Sequence, residues 1–299
     1  MKHLIETTDL NSLPIVEYDR LILNSTKNEI IYRGGVNTNG HSYVDLGLSS
    51  GLKWAKCNIG ATSETEDGVY FQWGETTSDT VYDWAHYKYY NGSSTSMTKY
   101  CTSSDYGTED NKTTLEPEDD AATQIMGGDW RMPTVTEYQT LYNETLWVWC
   151  PGGNVGIKKT DEGGNESIEY IAYPTGYFVF KTESDKKQRG TFTKDEDGNL
   201  IGYTATGTVY YPGAHEVTEG DITSIADSDT HIFFPASGGA NGTGVDFRGS
   251  NGYYWSSSLY PSKSDCGLFL SFDSGDVGPQ EYDSRCNGFC VRSVLENLS

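Results

Sequence analysis

The chain has 299 residues, enough for one large domain or two small ones with an ample core. Only 35% of it is hydrophobic, but 13% is aromatic, and aromatic rings bury much area each, so the composition is that of a folded chain rather than a disordered one. Lys and Arg total 21 against 43 Asp and Glu, a net charge of −22 that repels phosphate backbones and anionic lipid and argues against nucleic acid or a membrane surface as partner. No run approaches about 18 apolar residues, so no transmembrane helix is expected. Glu6, Asp9 and Glu17 interrupt the apolar core that a signal peptide would need.

Residues 1–36 are expected to form a separate segment. Tyr18–Arg33 has the pattern strand, Asn/Ser/Thr turn, strand, and a lone hairpin is marginal, so it is expected to pack on a partner subunit or on the main domain, with a role in assembly that includes homo-oligomer formation. Gly34-Gly35 and Asn37–Gly40 mark a linker to a second unit, residues 37–299. That unit opens with a β-hairpin, Ser42–Leu48 and Leu52–Cys57 around Ser49-Ser-Gly51, followed by a strand candidate at Gly68–Gly74. Residues 76–118 lack periodicity and are expected to be a long surface insertion; a second insertion is expected near 151–230, where residues 151–232 mix strands with turns.

Two helices are expected. Pro117–Met126 has Pro and acids in its first turn and Gly127-Gly128 beyond its end. Thr134–Asn143 has capping-box spacing at Thr134 and Glu137, with Val135, Tyr138, Leu141 and Tyr142 on one face. Tyr177–Lys181 and Ile232–Gly238 are strand candidates. In Cys266–Asp273, Leu268, Leu270 and Phe272 alternate with Gly267, Phe269, Ser271 and Asp273. Two short helices among many short strands give an α+β fold.

Chemical motifs are sparse. His3, His41, His86, His215 and His231 are scattered with no metal-ligand spacing. The acidic turn within 193–204 begins and ends on Thr where an EF-hand loop needs carboxylates. Gly238–Gly244 fits neither dinucleotide nor P-loop spacing, and Ser256-Ser-Ser258 has no nucleophile-elbow glycines. No cofactor is expected; a structural Ca²⁺ site is compatible with so many carboxylates but is specified by no motif. Cys57, Cys101, Cys150, Cys266, Cys286 and Cys290 form no CxxC pair and are expected to be free thiols.

Four motifs stand out: Tyr43–Gly60, Trp130–Tyr138, Gly252–Ser258 and Gly288–Arg292. In this order they resemble the large Bacteroidetes and Fibrobacter paralogous domain family of C-type lectin fold. That fold is shared with formylglycine-generating enzymes and with the variable proteins of diversity-generating retroelements. The resemblance spans residues 41–294. The last third is most similar to a retroelement variable protein of a gut Bacteroidales phage or host. Such proteins keep a Tyr-Trp-Ser-Ser-Ser start, an inward Leu-x-Phe, a Ser-Gly-x-Val-x-Pro-Gln turn and a Gly-Phe-x-Val-Arg end. Here these are Tyr254–Ser258, Leu270 and Phe272, Ser274–Gln280, and Gly288–Arg292.

The resemblance implies a variable region at 255–292 and a receptor-binding display protein, in a phage tail or on a bacterial surface, that recognises a protein or glycan. The implied ligand-binding residues are Tyr260, Asp265, Cys266, Phe269, Ser271, Asp273, Asp276, Gly278, Tyr282, Asp283, Ser284 and Cys286. Each is reachable from an Asn codon by changing its first two bases, whereas Lys263 and Glu281 are not. Alternation supports the same reading from the residues alone: Phe269 lies opposite Leu270 and Phe272 and is expected to face solvent, and the set is expected to form one exposed patch. Trp130, Arg131 and Trp255 are expected to be scaffold, with Arg131 satisfying carbonyls. The alternatives are a formylglycine-generating-type oxidase and a non-variable adhesin domain. The oxidase has two cysteines in a loop ahead of its final strand, whereas here only Cys286 precedes the Gly-Phe-x-Val-Arg segment and Cys290 lies within it. No catalysis is therefore expected.

Overall fold

A computed structural model describes residues 21–24, 29–32, 39–160, 166–181, 189–194, 199–205 and 231–296. Among these, most regular structure is antiparallel strand, with two α-helices, in keeping with an α+β class. Strands β1 (Leu21–Asn24) and β2 (Glu29–Tyr32) pair antiparallel as a hairpin, as their pattern predicts. The linker at 33–38 and the acidic turn at 195–198 lie outside the described residues, as do 206–230.

Strands β3 (Tyr43–Val44) and β4 (Lys53–Ala55) form the expected hairpin. Gly68–Gly74 makes no strand; Phe71 forms only an isolated bridge to Phe289. Helix α1 (Ala121–Met126) follows one turn of 3-10 helix at Pro117–Asp119 and is capped by Asp120, whose carboxylate accepts from the Thr123 amide at 2.9 Å. Helix α2 (Val135–Glu144) has both halves of the capping box, and buries Val135, Tyr138, Leu141 and Tyr142 as its periodicity requires. Between the helices lies β5 (Trp130–Arg131).

Strands β6 (Thr145–Thr160) and β7 (Glu166–Lys181) make a long antiparallel hairpin. It is joined by β8 (Arg189–Lys194), β9 (Asn199–Ala205) and β10 (His231–Pro235) in the order β10-β7-β6-β8-β9. The stretch after 151 thus contains strands, as its mixed pattern predicts. A small hairpin, β11 (Gly239–Asn241) and β12 (Gly244–Asp246), precedes the antiparallel sheet β13 (Gly252–Leu259), β14 (Cys266–Phe272) and β15 (Val277–Ser284). The last strand, β16 (Val294–Leu295), lies between β4 and β5.

Two aromatic cores flank the β13–β14 pair. One gathers Trp54, Tyr138, Trp147 and Phe234 against Tyr254, Leu270 and Phe272. The other gathers Trp73, Tyr100, Trp130 and Phe289 against Trp255 and Phe269. Residues 76–118 therefore do more than cover the surface: Tyr87, Tyr89, Met97, Tyr100 and Leu115 enter the second core. Trp130 and Trp255 are buried scaffold, and Arg131 satisfies a carbonyl as expected, donating to that of Met132 at 3.2 Å. It makes two hydrogen bonds to Glu137, at 2.8 and 2.6 Å, and one to Glu296. Arg285 and Arg292, both fully buried, satisfy further carbonyls.

Candidate ligand-binding face

Strand pairing sorts the candidate residues. On one face of β13–β14–β15 lie Tyr253, Trp255, Phe269, Ser271, Gly278 and Asp283, through the pairs Tyr253–Ser271, Trp255–Phe269, Ser271–Gly278 and Gly267–Asp283. Cys266, Tyr282 and Ser284 lie on the other face, with Leu268 and Leu270. The set therefore does not occupy one face.

Nor is all of it exposed. Phe269 is 6% exposed, wedged among Trp255, Phe289 and Tyr253 at ring distances of 5.7, 4.8 and 5.8 Å. The expectation that it faces solvent fails because β14 is an inner strand with a core on each side, and segment 286–291 closes the face that alternation alone would leave open. Asp265, Cys266 and Cys286 are buried as well. Asp265, at the end of the loop between β13 and β14, accepts from the Arg285 amide through its own carbonyl. Asp273, Asp276 and Tyr282 are exposed, and Tyr260, Ser271, Gly278, Asp283 and Ser284 half-buried.

These remaining residues border two aromatic features. Tyr260 and Tyr282 stack at 4.2 Å with an interplanar angle of 16°, and Tyr282 is 51% exposed. At the open end of the Phe269 face, half-buried Tyr253 meets Phe247 edge-on at 6.5 Å. Phe247 is 63% exposed and adopts a left-handed backbone with φ 59°. A bulky residue there carries strain, of order 1–3 kcal/mol, that the surroundings must hold in place. They do so through the Phe247 carbonyl, which accepts from the Ser250 amide and hydroxyl and from the Asn251 amide at 2.9–3.0 Å. Gly238, also left-handed, lets the chain pass the Asp246 carbonyl, which a Cβ would meet at 2.1 Å.

Burial raises the Tyr253 hydroxyl pKa, and the carboxylates of Asp283, Asp273 and Asp246 raise it further. Asp273 is itself fixed by the Gly275 and Asp276 amides, at 2.7 and 2.9 Å. Sequence reasoning missed Asp246, Phe247 and Tyr253. Only the aromatic beside the Gly-rich 238–244 stretch hinted at them, and the left-handed turn that exposes Phe247 has no sequence signature.

Chemistry elsewhere is committed to structure. Glu116, Glu118 and Asp119 converge, but the Lys99 ammonium lies 2.7, 3.2 and 2.5 Å from them, where a metal ion would sit. Ser256, Ser257 and Ser258 are buried; the first two donate to the Leu268 and Pro133 carbonyls, and the third accepts from the Val135 amide. All six cysteines are free, and burial pushes the thiols of Cys266, Cys286 and Cys290 up to about 12. Among the described residues no helix is long and apolar enough to cross a membrane. Compared with protein-family models, curated proteins and solved structures, the chain matches none.

Proposed function

We propose that the chain is a ligand-binding display protein of C-type lectin fold, of the kind diversified by retroelements, acting in a phage tail or on a bacterial surface. Two short helices among mainly antiparallel strands, with long intervening segments, support the fold assignment. The observation that carries the function is the open end of the β13–β14–β15 sheet. There a strained turn holds Phe247 out in solvent beside Tyr253, within reach of exposed Asp246 and Asp273. Backbone strain of this kind clusters at ligand sites, and an exposed aromatic ring held by it supports a binding role.

The candidate binding residues in this reading are Ser271, Gly278 and Asp283 with Asp246, Phe247 and Tyr253 on the Phe269 side, Asp273 and Asp276 between β14 and β15, and Tyr260, Tyr282 and Ser284 on the other side of the sheet. The ligand is a protein or glycan on a bacterial cell, and residues 1–36 serve assembly. An oxidase role is disfavoured by thiols that stay protonated at neutral pH, because the thiolate is the reactive species. The test is flow cytometry of labelled protein on intact cells of a panel of Bacteroidales strains. Strain-selective binding that Phe247→Asn and Tyr282→Ser weaken is expected. Binding to no strain, or equal binding by both variants, contradicts the proposal.

A further inference from the structure

We propose that the Phe247–Tyr253 end of the sheet receives a cationic side chain, arginine or lysine, from a protein partner; this deepens the display reading and rests on it. Two aromatic rings meeting edge-on offer an electron-rich surface, and an ammonium or guanidinium group is drawn to such ring faces. The charge around the rings has one sign. Asp246 and Asp273 are exposed, Asp283 is half-buried, and all three act on the Tyr253 hydroxyl. The neighbouring cation, Arg248, is engaged in a 2.5 Å ion pair with Asp67. The chain's net charge of −22 adds a long-range field that draws cations and repels anionic ligands.

The face is also prepared for a ligand in advance. The turn carbonyl of Phe247 is held by three donors, and hairpin β11–β12 is tied to the body by Ala240–Gly288 and Tyr82–Gly242 backbone pairs. At Gly239 a Cβ would come within 2.7 Å of the Phe289 ring and 3.0 Å of the Tyr253 ring, so this glycine leaves room for those two rings to pack 5.2 Å apart, with Tyr253 half-buried. A neutral sugar would use the rings and leave the carboxylates with hydroxyl partners only; a guanidinium group uses both.

The experiment is fluorescence anisotropy of the full chain with a labelled peptide of alternating Arg and Gly. The same peptide with Glu for Arg, and a neutral linear oligosaccharide, serve as further probes. Phe247→Asn and Asp246→Asn are the test variants, because Asn tolerates the left-handed turn and both sites are exposed, so melting midpoints should not fall. The Arg peptide should bind, and the Glu peptide should not. Affinity should drop about tenfold or more in each variant, and again between about 50 mM and about 300 mM salt. Equal binding by Phe247→Asn would mean that diffuse charge holds the peptide, and the proposal fails. Salt-insensitive binding of the oligosaccharide, lost in Phe247→Asn, would overturn the cationic partner but leave the display reading standing. Binding of no probe overturns it too, while selective binding to cells would still be read by cytometry.

Discussion

Phe289 stacks on Trp255, with ring centroids 4.2 Å apart and an interplanar angle of 29°, and the two rings close over Phe269. The contact makes β14 a strand with two buried faces, because Leu270 and Phe272 pack into the opposite core. Phe269→Ala and Phe272→Ala should therefore cost comparable amounts, on the order of 3–5 kcal/mol each, through the cavities left behind. Urea unfolding of both variants checks this; a loss below about 1 kcal/mol at Phe269 alone would mean that the ring is at the surface.

Arg285 is buried, and among the described residues no carboxylate is hydrogen-bonded to it. Its guanidinium carbon lies 4.8 Å from the Trp73 ring centroid and 5.1 Å from that of Tyr87. Its nitrogens donate to the Tyr87 hydroxyl at 2.7 Å and to the carbonyls of Ser264, Tyr100 and Lys99 at 2.8, 3.2 and 3.1 Å. A lysine keeps the charge but cannot span these acceptors. Arg285→Lys should lose on the order of 3 kcal/mol in chemical denaturation, far more than a charge-conserving surface change. A change below about 0.5 kcal/mol would contradict this.

Glu64 links the 58–68 loop to the large sheet. Its carboxylate accepts from the Tyr173 hydroxyl and lies 3.6 Å from Nε2 of buried His231. Burial alone would raise its pKa, but His231, with help from Tyr173, outweighs that and holds it down at about 2, against 4.5 for the free side chain. A lowered folded-state value stabilises the protein above the unfolded pKa, and that stabilisation fades as pH falls from about 4.5 to about 2. Glu64→Gln should cost on the order of 2 kcal/mol at pH 7, with the deficit shrinking in this acid window. Denaturation series at about pH 7 and about pH 3 give the comparison; a pH-independent deficit would assign Glu64 a packing role alone.

Much of the framework was legible in the sequence. The capping box at Thr134 and Glu137, the Ser42–Cys57 hairpin and the inward Leu270 and Phe272 carry local signals that tertiary context only reinforced. Long-range contacts were not legible. Alternation in Cys266–Asp273 cannot reveal that Phe289 returns to cover Phe269, since the two are 20 residues apart and the covering segment has no period of its own. Tyr87, Tyr89 and Tyr100 gave no helical or strand repeat, because they are placed by wrapping around Arg285 rather than by regular structure. The open face itself depends on a left-handed phenylalanine, which no propensity favours.

The central claim is a display face whose variable side chains are those that the core does not need. Sequencing the coding segment for residues 255–292 across many isolates, together with its flanking DNA, tests that claim directly. The account predicts an adjacent reverse transcriptase and a near-copy of the segment. Substitutions should concentrate at Tyr260, Ser271, Asp273, Asp276, Gly278, Tyr282, Asp283 and Ser284, while buried Asp265, Cys266, Phe269 and Cys286 stay fixed. An invariant segment with no template copy, or variation as frequent at Phe269 as at Tyr282, would contradict it.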